Sequence, residues 1–190
     1  MQKKKPQQVR IIGGAWKRTP LPVLDALGLR PTPDRVRETI FNWLNHLRDG
    51  AWSEARVLDL FAGSGALGFE AASRGAASVT MIDANSAVIR QLETIKDRLK
   101  AEAVRIVRGD ALASAQSMAA RGEKFDLIFL DPPYNLDLLS RSLPVCLQLV
   151  KEDGLVYAES DAPVEAPEGW EVIRSDKAGM VYYHLLRAAA

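Results

Sequence analysis

The chain has 190 residues, 47% of them hydrophobic and 26% charged, which suits one well-packed domain and is too short for two large ones. Its single cysteine, Cys146, excludes an intrachain disulfide framework, and the sequence has no C-x-x-C or clustered His/Cys pattern of the kind a metal needs. No apolar run approaches the roughly 18 residues of a membrane span, and the basic start "MQKKKPQQVR" is not followed by an apolar signal region, so a soluble, cytoplasmic protein is expected. The net charge of +1 hides an asymmetry. Residues 1–37 carry nine basic side chains (Lys3, Lys4, Lys5, Arg10, Lys17, Arg18, Arg30, Arg35 and Arg37) against Asp25 and Asp34, a balance of +7 that leaves −6 on the remainder. Such a division suggests a basic arm that meets a polyanion.

In chain order, residues 1–28, with Pro6, Pro20 and Pro22, read as irregular or hairpin-like. "RPTPDRVRETIFNWLNHL" then opens a helix with Thr32 as N-cap and Pro33 at the first helical position, and with Val36, Ile40, Trp43, Leu44 and Leu47 as its buried stripe. From Arg56 onward apolar strand-like runs alternate with helical patterns, the signature of a parallel sheet covered on both faces. The predicted strands are 56–61, 78–83, 104–107, 125–131 and 154–160. The clearest crossover helix is "SAVIRQLETIKDRLKA", where Val88, Leu92, Ile95 and Leu99 recur at helical spacing. The end of the chain breaks the alternation: "WEVIRSDKAGMVYYHLLR" reads as an antiparallel hairpin turning at 177–179.

Two motifs carry chemistry. "DLFAGSGALG" follows the first strand, and its Gly63, Gly65 and Gly68, with Asp83 ending the next strand, match a dinucleotide fingerprint. Glycines there let the backbone approach a ligand, and the acid accepts hydrogen bonds from ribose hydroxyls. Asp59, just before the turn, suits a ligand carrying a positive amine or sulfonium and would repel phosphates. Asp110, after the third strand, is placed to accept from an adenine amino group. The second motif, "DPPY" (Asp131, Pro132, Pro133 and Tyr134), ends the fourth strand at the carboxyl edge, where doubly wound sheets bind ligands. Asp131 and the Pro132 carbonyl can accept both hydrogens of a planar amino group, and the prolines withdraw two N–H donors. Tyr134 can stack on a base. His46 and His184 lie without evident partners and read as structural, and Trp16 fits either stacking on RNA or local packing.

"VLDLFAGSGALGFEAASRGA" resembles the first motif of class I S-adenosylmethionine-dependent methyltransferases, and "DPPY" resembles the motif of those that methylate planar amino nitrogens. With "RIIGG" and "LRPTPDRVRETIFNWL", the order and spacing are similar to the bacterial 16S ribosomal RNA guanine-N2 methyltransferase family over roughly residues 9–187. The glycine turn alone is superfamily-wide; the combination of "RPT-x-DRVRE" with "DPPY" is far more specific.

The resemblance implies a Rossmann-like α/β fold. Its doubly wound, mostly parallel seven-stranded sheet would end in an antiparallel hairpin, with a basic extension over 1–28 and a methyltransferase domain over 29–190. It implies S-adenosylmethionine as cofactor, held by Thr32, Asp59, Phe61, Ala62, Gly63, Ser64, Gly65, Asp83, Ala84, Asp110 and Ala111. Thr32 would hold the methionine carboxylate at a helix N-terminus, with simple capping as the alternative. The nine basic residues of 1–37 would contact RNA, Arg10, Arg30, Arg35 and Arg37 having salt bridges as their structural alternative. The expected partner is 16S ribosomal RNA in an assembled or assembling 30S subunit, met by a monomer. A DNA adenine-N6 or cytosine-N4 methyltransferase, a noncatalytic RNA-binding assembly factor and, from the glycine pattern taken literally, a nicotinamide dehydrogenase are the competing readings.

Overall fold

Why the basic start of the chain should fold at all is answered by its apolar residues. In the computed structural model, which describes residues 8–24, 31–133 and 137–190, strands β1 (Gln8–Arg10) and β2 (Pro20–Pro22) pair antiparallel with Val9 opposite Leu21. Val9, Ile11, Leu21 and Val23 are buried in the same apolar cluster as one face of the main sheet, and Trp16 packs partly against it. Lys3, Lys4, Lys5, Arg30 and Tyr134 lie outside the described residues.

Helix α1 (Asp34–Leu47) buries Val36, Arg37, Ile40, Phe41 and Leu44. The stripe is therefore rotated from the expected one: Leu47 is 39% exposed and Trp43 only partly buried, while Phe41 and Arg37 face inward. Thr32 is not the N-cap. Pro33 occupies that place, its carbonyl accepting from the Val36 and Arg37 N–H groups, and the Thr32 hydroxyl donates instead to the buried Glu159. The helix begins one residue later than expected, which leaves the Thr32 hydroxyl outside the first turn and free to give its proton to a buried carboxylate, a charge-assisted bond.

The main sheet contains β3 (Arg56–Asp59), β4 (Ser78–Asp83), β5 (Val104–Arg108), β6 (Phe125–Leu130), β7 (Val150–Ser160), β8 (Trp170–Ala178) and β9 (Val181–Ala188), in the order β5-β4-β3-β6-β7-β9-β8. The first five are parallel to one another, and β9 and β8 complete the sheet antiparallel. Helices α2 (Ala66–Ser73), α3 (Ser86–Leu99), α4 (Ala111–Ala120) and α5 (Leu138–Leu149) make the crossovers. Side chains alternate between faces along each strand. Val57, Leu127 and Phe129 pack in a cluster with residues of α1, α2 and α3, whereas Leu58, Ile128 and Val156 pack in a second with α4 and α5. The first strand stops at Asp59, two residues short of the expected end, and the fifth begins at Val150, four residues early. Chain direction around the sheet reverses between the neighbours β3 and β6, which places the switch point at their carboxyl ends.

The N-terminal segment is docked on α2 by polar contacts. The buried Glu70 accepts from the N–H groups of Ile12 (2.8 Å) and Gly13 (2.9 Å) and from Arg74 Nε (3.0 Å). Ser73 donates to the Gly13 carbonyl and accepts from the Trp16 N–H. Gly14 has φ +77°, and a Cβ there would lie 1.9 Å from the Ser73 carbonyl oxygen, so only glycine admits this approach. Arg37, expected on the RNA face, is fully buried. Its guanidinium donates to Asp34 (2.6 Å), to the Arg10 carbonyl (2.7 Å) and to the Thr32 carbonyl (3.3 Å), and stands 3.7 Å from Glu70. Its structural alternative is the one realised, because five donors in a fixed fork can satisfy several buried acceptors at once. His184 has partners too: Nε2 accepts from the Val164 N–H and Nδ1 lies 3.3 Å from the Ala158 carbonyl, and burial lowers its pKa against the opposing effect of that carbonyl. No helix among the described residues is long and apolar enough to cross a membrane.

Candidate active site

The carboxyl ends of β3, β4, β5 and β6 open onto a cavity of about 770 Å³. The glycine turn forms its floor. Gly63 (φ +53°) and Gly65 (φ +80°) both require left-handed backbone, and a Cβ on Gly65 would collide with Phe69 at 2.6 Å and Leu92 at 2.8 Å. Gly68 does a different job: a Cβ there would meet Met81 at 2.9 Å, so it permits α2 to lie close on the sheet.

Phe61, Ala62, Gly63, Ser64 and Ala84 line the cavity, as do Asp83, Asp110 and Ala111. Asp83 accepts from the Gly63 N–H (3.0 Å) and the Asn85 N–H (2.9 Å), which ties the turn to the end of β4. A carboxylate has about four acceptor positions, so ribose hydroxyls can still be received. Asp110 is the N-cap of α4, with one oxygen accepting from the Ala113 N–H at 2.8 Å. Asn85 caps α3 in the same manner. Asn85 and Leu112 join the cavity wall without having been singled out in the sequence, and Val88, expected only as part of a helix stripe, lines it too.

Asp59 and Gly65 lie behind the wall rather than in it. Asp59 is fully buried; one oxygen accepts from the Gly68 N–H at 3.1 Å and the other, Oδ1, has no hydrogen-bond partner among the described residues. Burial is the main cause that pushes its pKa up to about 7, with the negative charge of Asp83 adding to it and the Gly68 and Phe61 N–H groups opposing.

Asp131, Pro132 and Pro133 line the cavity from the end of β6, and Thr32 closes it from the loop before α1. The Thr32 hydroxyl lies 2.8 Å from Glu159 Oε2 and 3.5 Å from Asp131 Oδ2, so its single proton goes to Glu159. Tyr157 Oη donates to the same Glu159 oxygen at 3.0 Å. Burial, then the nearby Glu159 and Asp59 charges, hold the Asp131 carboxyl well above the usual range. Glu159 escaped sequence reasoning although a signal existed: it is an acid at the carboxyl end of a strand, as Asp59, Asp83 and Asp131 are.

Of the basic residues assigned to RNA, Arg10, Lys17, Arg18 and Arg35 are exposed, Arg10 alongside Asp34 at 3.1 Å.

A doubly wound sheet closed by an antiparallel hairpin, with a glycine turn and an Asp-Pro-Pro edge meeting over one cavity, defines a class I methyltransferase. The chain belongs to the family described as "Conserved hypothetical protein 95", which it matches over residues 9–187. It is 40% identical to "Ribosomal RNA small subunit methyltransferase D" of Escherichia coli (strain K12), covering 96% of this chain and 91% of that one. The protein of the same name from Haemophilus influenzae is 38% identical over 94% and 93%. A solved structure of a putative methyltransferase from Escherichia coli has a TM-score of 0.82 at 40% identity, covering 97% of this chain and 99% of that chain. A putative methyltransferase crystallised with SAH shares the fold at 16% identity and a TM-score of 0.64, covering 81% of this chain and 48% of that chain.

Proposed function

We propose that this protein transfers a methyl group from S-adenosylmethionine to the exocyclic N2 of a guanine in 16S ribosomal RNA. The observation that carries the reading is Asp131-Pro132-Pro133 set against the same cavity as the glycine turn, in a chain 40% identical over nearly its whole length to a small-subunit ribosomal RNA methyltransferase.

The donor set fits the cofactor. Asp83 at the end of β4 suits ribose hydroxyls, the wall at Asp110, Ala111 and Leu112 suits an adenine ring, and the buried Asp59 behind the turn, one oxygen of which has no partner among the described residues, supplies a negative charge that suits a cationic ligand. When bound, S-adenosylmethionine supplies an electrophilic methyl group on a sulfonium. The chain's own work is positioning. An exocyclic amino lone pair is delocalised into its ring and nucleophilic only when drawn out of conjugation. Asp131 and the Pro132 carbonyl accept the two amino hydrogens, favouring a more tetrahedral nitrogen whose lone pair faces the methyl. Pro132 and Pro133 keep competing N–H donors away. The amino proton becomes acidic only after transfer and leaves to water, so Asp131 acts as an acceptor and is not an obligatory base. Tyr134 is assigned to stacking on a base taken out of its stack.

The basic extension over residues 1–28 meets RNA phosphates beside the catalytic domain over 29–190, using Arg10, Lys17 and Arg18, joined by Arg35 at the start of α1. The substrate is an assembled or assembling 30S subunit, and the enzyme acts on it as a cytoplasmic monomer. Incubation with labelled S-adenosylmethionine and unmodified small subunits, free 16S RNA or DNA, followed by digestion to nucleosides, tests the reading. Label is expected in N2-methylguanosine of the ribosomal substrate; label confined to N6-methyladenosine of DNA overturns it.

Asp59 makes cofactor binding pH-dependent. Its folded pKa of about 7 lies above the 3.8 of an unperturbed aspartate, so the stability of the neutral acid is present below pH 3.8 and is lost as pH rises through 7, ~4 kcal/mol in all. A cationic ligand favours the ionised acid. Titration calorimetry at pH 6 and pH 8 should therefore show the ratio of S-adenosylmethionine to S-adenosylhomocysteine affinity rising roughly five- to tenfold, and a flat ratio would remove Asp59 from cofactor recognition.

A further inference from the structure

The Asp-Pro-Pro edge has two sides. Pro132, Pro133 and Leu138 line the 770 Å³ cavity and also a second cavity of about 400 Å³, whose wall includes Glu159, Pro144 and Trp170. Because Phe129 pairs with Tyr157 and Leu130 with Ala158 in the parallel β6 and β7, Asp131 and Glu159 stand at the same level of adjacent strands and on the same face. Glu159 is 2% exposed, and two hydroxyls, of Thr32 and Tyr157, donate to its Oε2. Those bonds fix the side chain, which presents an acceptor-only carboxylate to the second cavity. The described residues of the second cavity wall include Asp137, Asp161, Glu165 and Glu168 and no Lys or Arg. Such a wall is unsuited to phosphate and suited to a neutral, donor-rich group.

Amino groups alone do not distinguish nucleobases. Beside its amino nitrogen guanine presents the N1–H donor, whereas adenine and cytosine present a ring nitrogen lone pair. An acid that reads only the amino group, as Asp131 does, treats the three alike. A second carboxylate one strand away attracts an N1–H and repels a lone pair, which supplies discrimination through a repulsive element as well as an attractive one. Two buried acids side by side are also relieved by a ligand edge that brings three N–H donors.

We propose that Glu159 selects guanine, its carboxylate accepting the N1–H of the base while Asp131 accepts from the N2 amino group. The inference rests on the reading of the protein as a guanine-N2 methyltransferase and assigns that specificity to a side chain. The target guanine is first mapped with the wild-type protein, and small subunits are then reconstituted with either guanine or 2-aminopurine at that position. 2-Aminopurine keeps the 2-amino group but replaces the N1–H with a lone pair. The wild type should prefer guanine by roughly 100-fold or more in kcat/KM. Glu159→Gln, whose amide can donate to that lone pair, should narrow the ratio at least about tenfold, with S-adenosylmethionine affinity within about twofold and a cooperative melt. Should Glu159→Gln fail to fold, Glu159→Asp, which withdraws the carboxylate by one methylene, is expected to narrow the ratio in the same sense. A wild type that methylates 2-aminopurine nearly as fast as guanine overturns the inference without any variant, and so does a folded variant with an unchanged ratio. Both outcomes leave N2-methylguanosine as the product; label in another nucleoside would instead overturn the functional reading itself.

Discussion

Asp131→Ala should lower turnover by about a thousandfold, the range expected when a positioned acceptor is removed from the transition state, while the protein melts no earlier than the wild type. The two halves have one cause. Asp131 is buried beside Glu159 and Asp59, and its carboxyl is held well above the usual range. Burial and the neighbouring acids disfavour its charged form, a cost that the folded state recovers when the carboxyl is removed. The Thr32 hydroxyl loses only a 3.5 Å neighbour and keeps Glu159 at 2.8 Å. S-adenosylmethionine affinity, measured by calorimetry, should stay within about threefold, since the ribose and adenine contacts assigned to Asp83 and the Asp110 turn are untouched. Asp131→Asn separates two roles: it keeps one carbonyl acceptor and should retain intermediate activity, whereas a residue needed as a base would be as inactive with Asn as with Ala. Collapse of cofactor binding in Asp131→Ala would place Asp131 in the cofactor site instead.

Glu70→Ala should be the most destabilising of these changes, by about 4 kcal/mol or more. It strips the fully buried Arg37 of one of its two carboxylate neighbours, and breaking a buried ion pair on one side typically costs 3–5 kcal/mol. It also leaves the Ile12 and Gly13 N–H groups without their acceptor. For a chain of this size the melting temperature should fall by roughly 10 °C. Glu70→Gln retains acceptor capacity toward the N–H groups but not the charge, and should fall between wild type and Ala. Because Glu70 fastens the segment that carries Arg10, Lys17 and Arg18, limited proteolysis should cut Glu70→Ala within residues 8–24 first. A melt within about 2 °C of wild type would show that the segment is held by its apolar residues alone.

The parallel core was legible because its evidence is local. A buried parallel strand is a short apolar run and a crossover helix repeats at 3.6 residues, so the five parallel strands, the helix over Val88, Leu92 and Ile95, and the closing hairpin can be read within windows of a dozen residues. The glycine turn and Asp131-Pro132-Pro133 were legible for the same reason: each packs its chemistry into consecutive residues. Helix α1 shows the limit. Its period was right, but its face was set by the interior acceptors awaiting Arg37, which turned Phe41 inward and Leu47 out.

By itself, then, the sequence determined a doubly wound sheet, a glycine turn with acids at the strand ends, and an Asp-Pro-Pro strand end on the same edge. Only the tertiary structure decided how the polar interior was paired. Thr32 reaches Glu159 across 127 residues and Asp131 across 99, and Ile12 reaches Glu70 across 58. A buried charge must find a partner wherever the fold brings one. That choice depends on which strands become neighbours, a fact no local pattern of residues contains.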